Sequence, residues 1–231
     1  MTPTPVSTSP QPTAPQPLLR ELLVQVRTSA VATLALAIVV CGIYPLVVCG
    51  IAQLAFPDRA NGLLIVDTDG KVRGSALLGQ SFSADKYFHP RPSAAGNGYA
   101  AGASAGTNLG PTSAKLIEGQ ADDPATKDTD ESFSGVKQLA EQYRKTNGLA
   151  AETSVPADAV TRSASGLDPH ITPANARFQA ARVAKTRRVT LDVVNRLIAQ
   201  HTEGREFGLL GEPRVNVVKL NLALDTLPTS N

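Results

Sequence analysis

The longest apolar stretch of the chain runs from Thr28 to Pro57, with no Asp, Glu, Lys or Arg. About 20 apolar residues suffice to cross the hydrocarbon core of a bilayer, and charged side chains at its centre are costly. The stretch therefore predicts a transmembrane helix. A cleaved signal peptide is the alternative, but its apolar region is normally about 7–15 residues long and follows a short basic segment.

After this stretch the chain becomes polar, and the spacing of its apolar residues predicts short strands and several helices. Two β-rich segments joined by a turn predict a hairpin over 62–78, and a short helix is predicted over 113–119. Helical spacing between Phe133 and Tyr143, ended by Gly148, predicts a longer helix. Thr172-Pro173 and Thr190 are typical of the first residues of two more helices. Alternating β-branched residues over 214–222 predict a late strand.

These patterns predict an α+β soluble domain tethered by one N-terminal transmembrane helix. We expect a disordered Pro-rich tail over 1–27, since prolines with Thr, Ser and Gln cannot build a core. The transmembrane helix follows over 28–57 and the soluble domain over 58–231. An acidic stretch at about 120–132 is expected to be a solvated insert. Residues 93–111, rich in Ala, Gly, Ser and Asn, are expected to form a long loop, and such loops are usually functional or mobile.

Four residues of the predicted membrane helix point to packing against partner helices. Pro45 lacks an N–H and is expected to kink the helix. Gly42 and Gly50 leave a shallow surface that another helix can approach closely. Gln53 is either an interfacial residue or a hydrogen-bonding group on the same face. Basic residues are nearly balanced on the two sides of the helix, so their distribution does not predict its orientation.

Composition excludes several classes of function. The net charge of the whole chain is only +2, so nucleic-acid binding is unsupported. Both cysteines, Cys41 and Cys49, lie in the apolar stretch, and the three histidines lack metal-ligand spacing, so no metal site is predicted. Neither a phosphate-binding loop nor the phosphorylation signature of P-type ATPases is present. A cluster of basic residues is expected to be solvated near a helix C-terminus, or else to form salt bridges with a partner; its members are Arg182, Lys185, Arg187 and Arg188.

One motif suggests a hydrolase. Residues 102–106 match the G-x-S-x-G nucleophile elbow around Ser104, and Asp168 and His170 follow in the order that hydrolases use. The elbow requires a strand directly before the serine and a helix after it, whereas this segment is rich in Gly and Ala. A membrane-anchored serine hydrolase is therefore an alternative, and a stand-alone anchored binding module is another.

Several motifs in order resemble the C subunit family of the Kdp-type potassium-transporting P-type ATPases of prokaryotes. The resemblance covers about residues 32 to 225. It rests on Tyr44-Pro45, Gly50-Ile-Ala-Gln-Leu, Gly74-Ser-Ala-Leu-Leu-Gly-Gln-Ser-Phe82, Tyr87-Phe-His-Pro-Arg-Pro-Ser-Ala94, Asn108-Leu-Gly-Pro111, Ser165-Gly-Leu-Asp-Pro-His-Ile-Thr-Pro-Ala174, Arg182-Val-Ala-Lys185 and Gly211-Glu-Pro-Arg-Val-Asn-Val217. The long N-terminal tail and the acidic insert depart from the family pattern.

The resemblance implies a non-catalytic subunit of a high-affinity, ATP-driven potassium uptake complex. Its partners would be a channel-like potassium-binding subunit, the ATP-hydrolysing P-type subunit and a small single-helix subunit. It would support assembly and act as a catalytic chaperone that raises the ATP affinity of the pump subunit. It would have no cofactor of its own, with ATP shared with that subunit.

The resemblance also implies locations and sites. The chain would cross the prokaryotic cell (inner) membrane once, with the soluble domain outside the cytoplasm. A glutamine of the family is proposed to contact nucleotide, and Gln179, then Gln80, are the candidates here. The loop over 93–111, with Asn97, Tyr99 and Asn108, is the expected contact with a partner.

Overall fold

The computed structural model describes residues 18–67, 69–122 and 132–227. The chain divides into two units, 1–60 and 61–231, close to the boundary predicted between membrane helix and soluble domain. The predicted α+β domain tethered by one N-terminal apolar helix is confirmed. Residues 1–17 of the predicted tail and 123–131 of the predicted insert lie outside the described residues.

The first unit is an apolar helix from Leu18 to Ala55. It consists of α1 (Leu18–Ala37), a π-helical turn (Ile38–Ile43) and α2 (Tyr44–Ala55), and the short α3 (Pro57–Ala60) follows. Its 38 residues, at about 1.5 Å each, exceed the roughly 30 Å of a hydrocarbon core. It is long and apolar enough to cross a membrane. Because it begins at Leu18, residues 18–27 are helical here and not part of a disordered tail.

The π-helical turn lies directly before Pro45 and explains how the helix accommodates that residue. Proline has no N–H to donate, and its ring crowds the carbonyl four residues earlier. The Tyr44 N–H, next to it, donates to the Val39 carbonyl, five residues back. Local widening of the helix is a common response to such crowding. The disturbance predicted at Pro45 therefore takes the form of a π-helical turn.

The second unit begins with the predicted hairpin. Strand β1 (Leu64–Val66) pairs antiparallel with β2 (Val72–Ser75). A loop with one 3₁₀ turn (Ala101–Ala103) follows, then α4 (Ala114–Glu118) and α5 (Val136–Asn147). The backbones of Gln120 and Phe133 exchange two hydrogen bonds of 2.8 Å, which closes the base of the insert.

The C-terminal half contains the main core. After a 3₁₀ turn (Ala157–Ala159), β3 (His170–Ile171), α6 (Pro173–Arg187), α7 (Leu191–Gln200), β4 (Thr202–Glu203), β5 (Arg214–Asn216) and α8 (Val217–Asp225) follow in the chain. The strands form an antiparallel sheet in the order β3-β5-β4. Helices α6, α7 and α8 pack with it around Phe88, which has no exposed surface, and the other members of this core include Ile171, Val183, Val194, Val215, Leu220 and Leu224.

The predicted helix ends are confirmed in two places. The Thr172 hydroxyl accepts from the Asn175 N–H at 3.1 Å and caps α6. Gly148 follows α5 with φ of +63°, in the left-handed region, and its N–H donates to the Arg144 and Lys145 carbonyls. Such a conformation at the end of a helix favours glycine because other residues meet a steric penalty.

The late strand predicted over 214–222 is wrong beyond its third residue. The Asn216 side chain accepts from the Lys219 N–H at 3.1 Å and caps α8, which turns the chain from strand to helix. Four of the five buried residues of α8, Val217, Leu220, Asn221 and Leu224, have the spacing of one helix face, and the fifth is Val218.

Candidate functional site

Helix α6 carries an unusual stripe of buried polar residues. Asn175, Gln179 and Arg182 are spaced by four and three residues and so lie on one face of the helix. Their exposed fractions are 0%, 1% and 9%. Buried polar groups are costly unless they are hydrogen-bonded, so the stripe requires partners from other segments.

The side chain of Gln179 forms hydrogen bonds with both the backbone N–H and the backbone carbonyl of His89. Its Oε1 accepts from the His89 N–H at 2.7 Å, and its Nε2 donates to the His89 carbonyl at 3.0 Å. Nε2 also donates to Asn175 Oδ1 at 2.9 Å, and Oε1 accepts from Arg182 Nη2 at 2.8 Å. An amide side chain offers two donors and two acceptor positions, so all four are used.

Asn221 of α8 pairs in the same way with the backbone of Phe88, the residue before His89. Its Oδ1 accepts from the Phe88 N–H at 2.8 Å, and its Nδ2 donates to the Phe88 carbonyl at 2.9 Å. No strand of the described residues pairs with the segment around Phe88 and His89, but its buried backbone groups must still be paired. Two amide side chains, Gln179 and Asn221, supply what a strand ladder would otherwise provide.

Arg182 ties the same segment to α5. Its guanidinium donates to the carbonyls of Asp85 and Tyr87 and to Asn147 Oδ1, the last at 3.0 Å. Burial lowers the pKa of Arg182, opposed by the nearby Asp85 carboxylate. The expectation that Arg182 is solvated near the end of the helix is therefore wrong, whereas Lys185 is exposed as expected.

Asp158 closes the other end of the network. Its carboxylate accepts from the Thr172 N–H at 2.7 Å, from the Thr172 hydroxyl and from Asn175 Nδ2. The Tyr143 hydroxyl donates to Asn175 Oδ1 at 2.8 Å. Burial, and then the charge of Asp158, raises the pKa of Tyr143. The network thus fixes α5, α6 and the 3₁₀ turn before Val160 to one another.

An open groove of about 450 Å³ lies above this network. His89, Tyr99, Gln142, Tyr143 and Asn147 are among the residues that line it. Burial, and then the charge of Arg182, lowers the pKa of His89, although hydrogen bonding to the Ala84 carbonyl opposes this. The groove presents polar groups together with the charged residues Asp85 and Arg91. No buried side-chain N or O of the described residues lacks a hydrogen-bond partner.

The hydrolase motif does not form a nucleophile elbow. Ser104 follows the 3₁₀ turn Ala101–Ala103 rather than a strand, and the described residues directly after it form no helix. Its hydroxyl donates to the Ser165 carbonyl at 2.9 Å. Asp168 and His170 do lie together, with Oδ1 and Nδ1 3.2 Å apart. The described residues therefore lack the strand–serine–helix geometry that the hydrolase alternative requires, and that alternative is wrong.

Asp168 instead belongs to an ion-pair cluster. Its carboxylate accepts from Arg91 Nη1 at 2.9 Å and from the His170 backbone N–H at 2.9 Å. Burial raises the pKa of Asp168, but hydrogen bonds from His170 and Arg91 outweigh it and hold the pKa below its ordinary range. Among the described residues, no three His, Cys, Asp or Glu side chains come together as a metal site.

The two candidate nucleotide-binding glutamines lie in different surroundings. Gln179 is in the buried network, whereas Gln80 is half-buried beside the hairpin, where its Nε2 donates to the Arg73 carbonyl at 3.0 Å. Direct contact of either with nucleotide stays a prediction. For Gln179 it would require exchanging hydrogen bonds that the folded domain already makes.

The candidate contact loop, 93–111, is partly anchored. The Tyr99 N–H donates to Ser93 Oγ at 2.9 Å and its hydroxyl donates to the Arg91 carbonyl at 2.8 Å. Asn97 and Asn108 are exposed. Tyr99 thus positions the loop, while the two asparagines remain accessible. Contact of this loop with a partner stays a prediction.

The four candidate packing residues lie on the surface of the apolar helix. A methyl group built on Gly42 or Gly50 would meet nothing within 4 Å. Pro45 and Gln53 are exposed on the same helix. Their packing against partner helices stays a prediction.

With this geometry established, comparison with known proteins identifies the family. The family model described as "KdpC: K+-transporting ATPase, c chain" matches residues 26–226, which include parts of both units. The chain belongs to this family.

Relatives of this chain come from several bacteria. It is 52% identical over 185 residues to the potassium-transporting ATPase KdpC subunit of Mycobacterium tuberculosis (strain ATCC 25618 / H37Rv), which covers 80% of this chain and 89% of the relative. The subunit of Myxococcus xanthus is 52% identical over 198 residues, 85% and 86% of the two chains. That of Koribacter versatilis is 47% identical over 199 residues, 86% and 92%.

Membership confirms the resemblance noted in the sequence. It identifies the c chain as an accessory subunit of a K+-transporting ATPase and not the ATP-hydrolysing chain. Sequence reasoning found Gln179 but missed Asn175, which accepts a hydrogen bond from it, and Asn221, which pairs with the neighbouring backbone of Phe88. The only signal in the sequence is the amide residues themselves, since buried amide groups require hydrogen-bond partners.

Proposed function

We propose that the protein is a non-catalytic subunit needed for assembly of a high-affinity, ATP-driven potassium uptake complex. The observation that carries this proposal is the family match over 26–226, because it spans both the apolar helix and the soluble domain. The partners proposed are a channel-like potassium-binding subunit, an ATP-hydrolysing P-type subunit and a small single-helix subunit. The membrane is the prokaryotic cell (inner) membrane, crossed once.

The helix is proposed to hold the subunit in the complex. None of its residues is buried within the chain, so its surface is available to lipid and to partner helices. In lipid there is little hydrophobic drive for helices to associate, and close packing at small residues supplies much of the attraction. Gly50 and Gln53 lie on one side of α2, three residues apart, and provide such a surface.

Gly50→Leu tests this interface. The added side chain would separate the two helix backbones, so we expect this subunit to be lost from the affinity-purified complex in mild detergent. Ala55→Leu is the matched control, since five residues at about 100° each place it on the opposite side of the helix. Retention of Gly50→Leu in the complex would refute packing through this face.

The soluble domain is proposed to lie outside the cytoplasm. Ala151 is exposed in a turn after α5 and is suited to a reporter cysteine. Cells that produce Ala151→Cys would be treated with a membrane-impermeant maleimide, with the unaltered protein as the control for Cys41 and Cys49. We expect labelling in intact cells. Labelling only after lysis would place the domain inside and refute this orientation.

The subunit is further proposed to act as a catalytic chaperone that raises the ATP affinity of the pump subunit. From outside the cytoplasm it can do so only by binding one conformation of its partners better than another. The fully paired polar network around Gln179 supports this, because it makes the domain a rigid body that can favour one partner conformation.

Thermodynamic reciprocity tests the chaperone role. If the subunit raises ATP affinity by some factor, ATP must raise the affinity of the complex for the subunit by the same factor. We therefore expect labelled subunit to exchange into the detergent-solubilised complex more slowly when a non-hydrolysable ATP analogue is bound. An analogue that shifts neither the rate nor the extent of exchange would refute the coupling.

A further inference from the structure

The π-helical turn of the apolar helix deprives one backbone carbonyl of its donor. In an α-helix the Val40 carbonyl would accept from the Tyr44 N–H, four residues later. Here the Tyr44 N–H donates to the Val39 carbonyl instead. The π-helical donor for Val40 would be the residue five positions later, but that residue is Pro45, which has no N–H. The Val40 carbonyl therefore has neither of the backbone donors that these two helix types provide.

The neighbouring side chains offer this carbonyl little in place of the missing donor. Within four residues of Val40 on either side, Tyr44 carries the only hydroxyl, and there is no Ser, Thr, Asn, Gln, Lys or Arg. The thiol of Cys41 is only a weak donor. Val40 is 56% exposed and Tyr44 64% exposed, so the rest of the chain does not cover this part of the helix. A strong donor for the carbonyl must therefore come from outside this segment.

The depth of Val40 in the apolar stretch excludes lipid as that donor. Val40 lies 12 residues after Thr28 and 17 residues before Pro57. These separations correspond to about 18 and 26 Å of helix, and each exceeds half of a hydrocarbon core of about 30 Å. Acyl chains have no hydrogen-bond donor, and an unpaired backbone group at this depth is strongly unfavourable. The carbonyl therefore requires a polar partner within the membrane.

We propose that the Val40 carbonyl accepts a hydrogen bond from a hydroxyl or amide side chain on a transmembrane helix of the channel-like potassium-binding subunit. The inference rests on the proposed function, which supplies that subunit. Backbone groups freed by proline in membrane helices are commonly paired by neighbouring helices. Polar side chains within transmembrane helices are rare and mark ion pathways, and the channel-like subunit is the proposed partner whose function requires such a pathway. The π-helical turn is then a polar contact point on an otherwise apolar helix.

The hydrogen bond is tested directly by isotope-edited infrared spectroscopy. The full-length chain is produced with heavy isotopes in the Val40 carbonyl alone, and its amide I band is compared between the isolated chain and the assembled complex in the same lipid. Hydrogen bonding lowers the frequency of a carbonyl, so we expect a lower frequency in the complex. The carbonyl of Ala32, within the regular α1, is the control and should give the same band in both samples.

Two infrared results would overturn the proposal. A Val40 band with the same frequency in the isolated chain and in the complex would show that no subunit donates to it; a low value in both would indicate water. The second result concerns Tyr44→Phe, which removes the only nearby hydroxyl of this chain. We expect this variant to leave the band of the complex unchanged. A higher frequency in Tyr44→Phe would place the donor within this chain.

Cross-linking identifies the partner. Val40 is replaced by the photoreactive p-benzoylphenylalanine, and the irradiated complex is analysed by mass spectrometry. We expect a product with the potassium-binding subunit, attached within one helical turn of a Ser, Thr, Asn or Gln. Ile38, two residues away and so on nearly the opposite side of the helix, is the control position and should give less of this product. A product with a different subunit, or only a phospholipid adduct at position 40, would overturn the proposal.

The strength of the contact is tested with Pro45→Ala, which restores an N–H to the helix. The Val40 carbonyl then has a donor in either register, the Tyr44 N–H in an α-helix or the N–H of residue 45 in a π-helix. Loss of the bond to the partner should make exchange of the subunit out of the complex about threefold faster, given the usual strength of hydrogen bonds between membrane helices. Pro57→Ala, at the first position of α3, is the matched control and should leave the rate unchanged.

The outcomes separate this inference from the function on which it rests. A wild-type subunit that assembles, but whose Val40 band is the same in the complex and in isolation, would overturn the carbonyl contact and leave the proposed function intact. A Pro45→Ala exchange rate equal to that of the wild type would do the same. A wild-type chain that does not co-purify with other ATPase subunits would overturn both. A lowered band, together with a cross-link to the potassium-binding subunit, would support the contact.

Discussion

Replacing Gln179 by leucine is the sharpest test of the buried network. The substitution keeps a side chain of similar length in α6 and removes all four hydrogen bonds of the amide. The groups left behind are the backbone N–H and carbonyl of His89, Asn175 Oδ1 and Arg182 Nη2. Gln179 is 1% exposed, so water cannot replace the amide without a local rearrangement.

The size of the effect follows from which groups lose their partner. Asn175 Oδ1 still accepts from the Tyr143 hydroxyl, and Arg182 keeps its bonds to Asn147 and to two carbonyls. The His89 N–H and carbonyl have no such replacement. An unpaired buried polar group costs about 1–3 kcal/mol, so we expect a loss of about 2–6 kcal/mol in the free energy of unfolding. Typical domains have only about 5–15 kcal/mol in total.

The assay is urea unfolding of the full-length chain in detergent. Tyrosine near-ultraviolet circular dichroism reports on tertiary structure, since Tyr99 and Tyr143 are packed in the soluble domain and there is no tryptophan. We expect a lower urea midpoint with an unchanged slope, which indicates a change in stability alone. Gln142→Leu, on the exposed side of α5, is the matched control and should stay within about 0.5 kcal/mol of the wild type.

The same variant separates structural support from nucleotide contact. Unfolding of Gln179→Leu within about 0.5 kcal/mol of the wild type would refute the reasoning from the network. If such a stable variant also lowered the ATP affinity of the assembled complex, direct nucleotide contact would be supported instead. A destabilised variant whose residual folded complex binds ATP normally would support the structural role.

Two further predictions concern charge and backbone conformation. The pKa of Asp168 is held low because, despite burial that raises it, hydrogen bonds from His170 and Arg91 favour the carboxylate. A carboxyl whose pKa is lower in the folded state than in the unfolded state stabilises the fold at pH values above its unfolded pKa, and this stabilisation is lost as the pH falls. The difference in unfolding free energy between wild type and Asp168→Asn should therefore narrow below about pH 4. A difference that stays constant with pH would contradict this. Gly148→Ala should lower the unfolding free energy by about 1–2 kcal/mol because φ at this position is +63°. Gly204→Ala, at an exposed and open position, is the control and should be nearly neutral. Equal effects of the two substitutions would contradict the role of the left-handed conformation.

Local signals in the sequence were sufficient for the parts of the fold that local chemistry determines. Thr172 before Pro173 and Gly148 after a helical repeat fix helix ends through hydrogen bonds and backbone sterics within a few residues. The apolar helix was equally evident because its signal is the absence of charge over many residues. Its start at Leu18 was missed, since Arg20, Glu21 and Arg27 are compatible with a helix but not with a membrane core.

The late segment shows why periodicity alone misled. Residues 214–222 alternate well enough to predict a strand, and their β-branched residues favour one. The decisive residue is Asn216, whose side chain caps the next turn and starts α8 after three strand residues. Its Nδ2 also donates to the Ala76 carbonyl at 2.8 Å, a contact with a residue 140 positions away that no local pattern contains.

The candidate site could not be predicted from the sequence because its contacts also join residues that are far apart in the chain. This affects how the residues of its motifs are interpreted. Gln179 was singled out as a ligand contact, yet it and Asn221 hold two consecutive residues, Phe88 and His89, by their backbones. A side chain that pairs with backbone rather than with other side chains leaves no complementary residue type in the sequence to reveal its partner. The residue types of such a motif can therefore be required for a scaffold as strictly as for a ligand. On this argument, loss of ATP affinity in a Gln179 variant is informative about nucleotide contact only after its unfolding free energy has been measured.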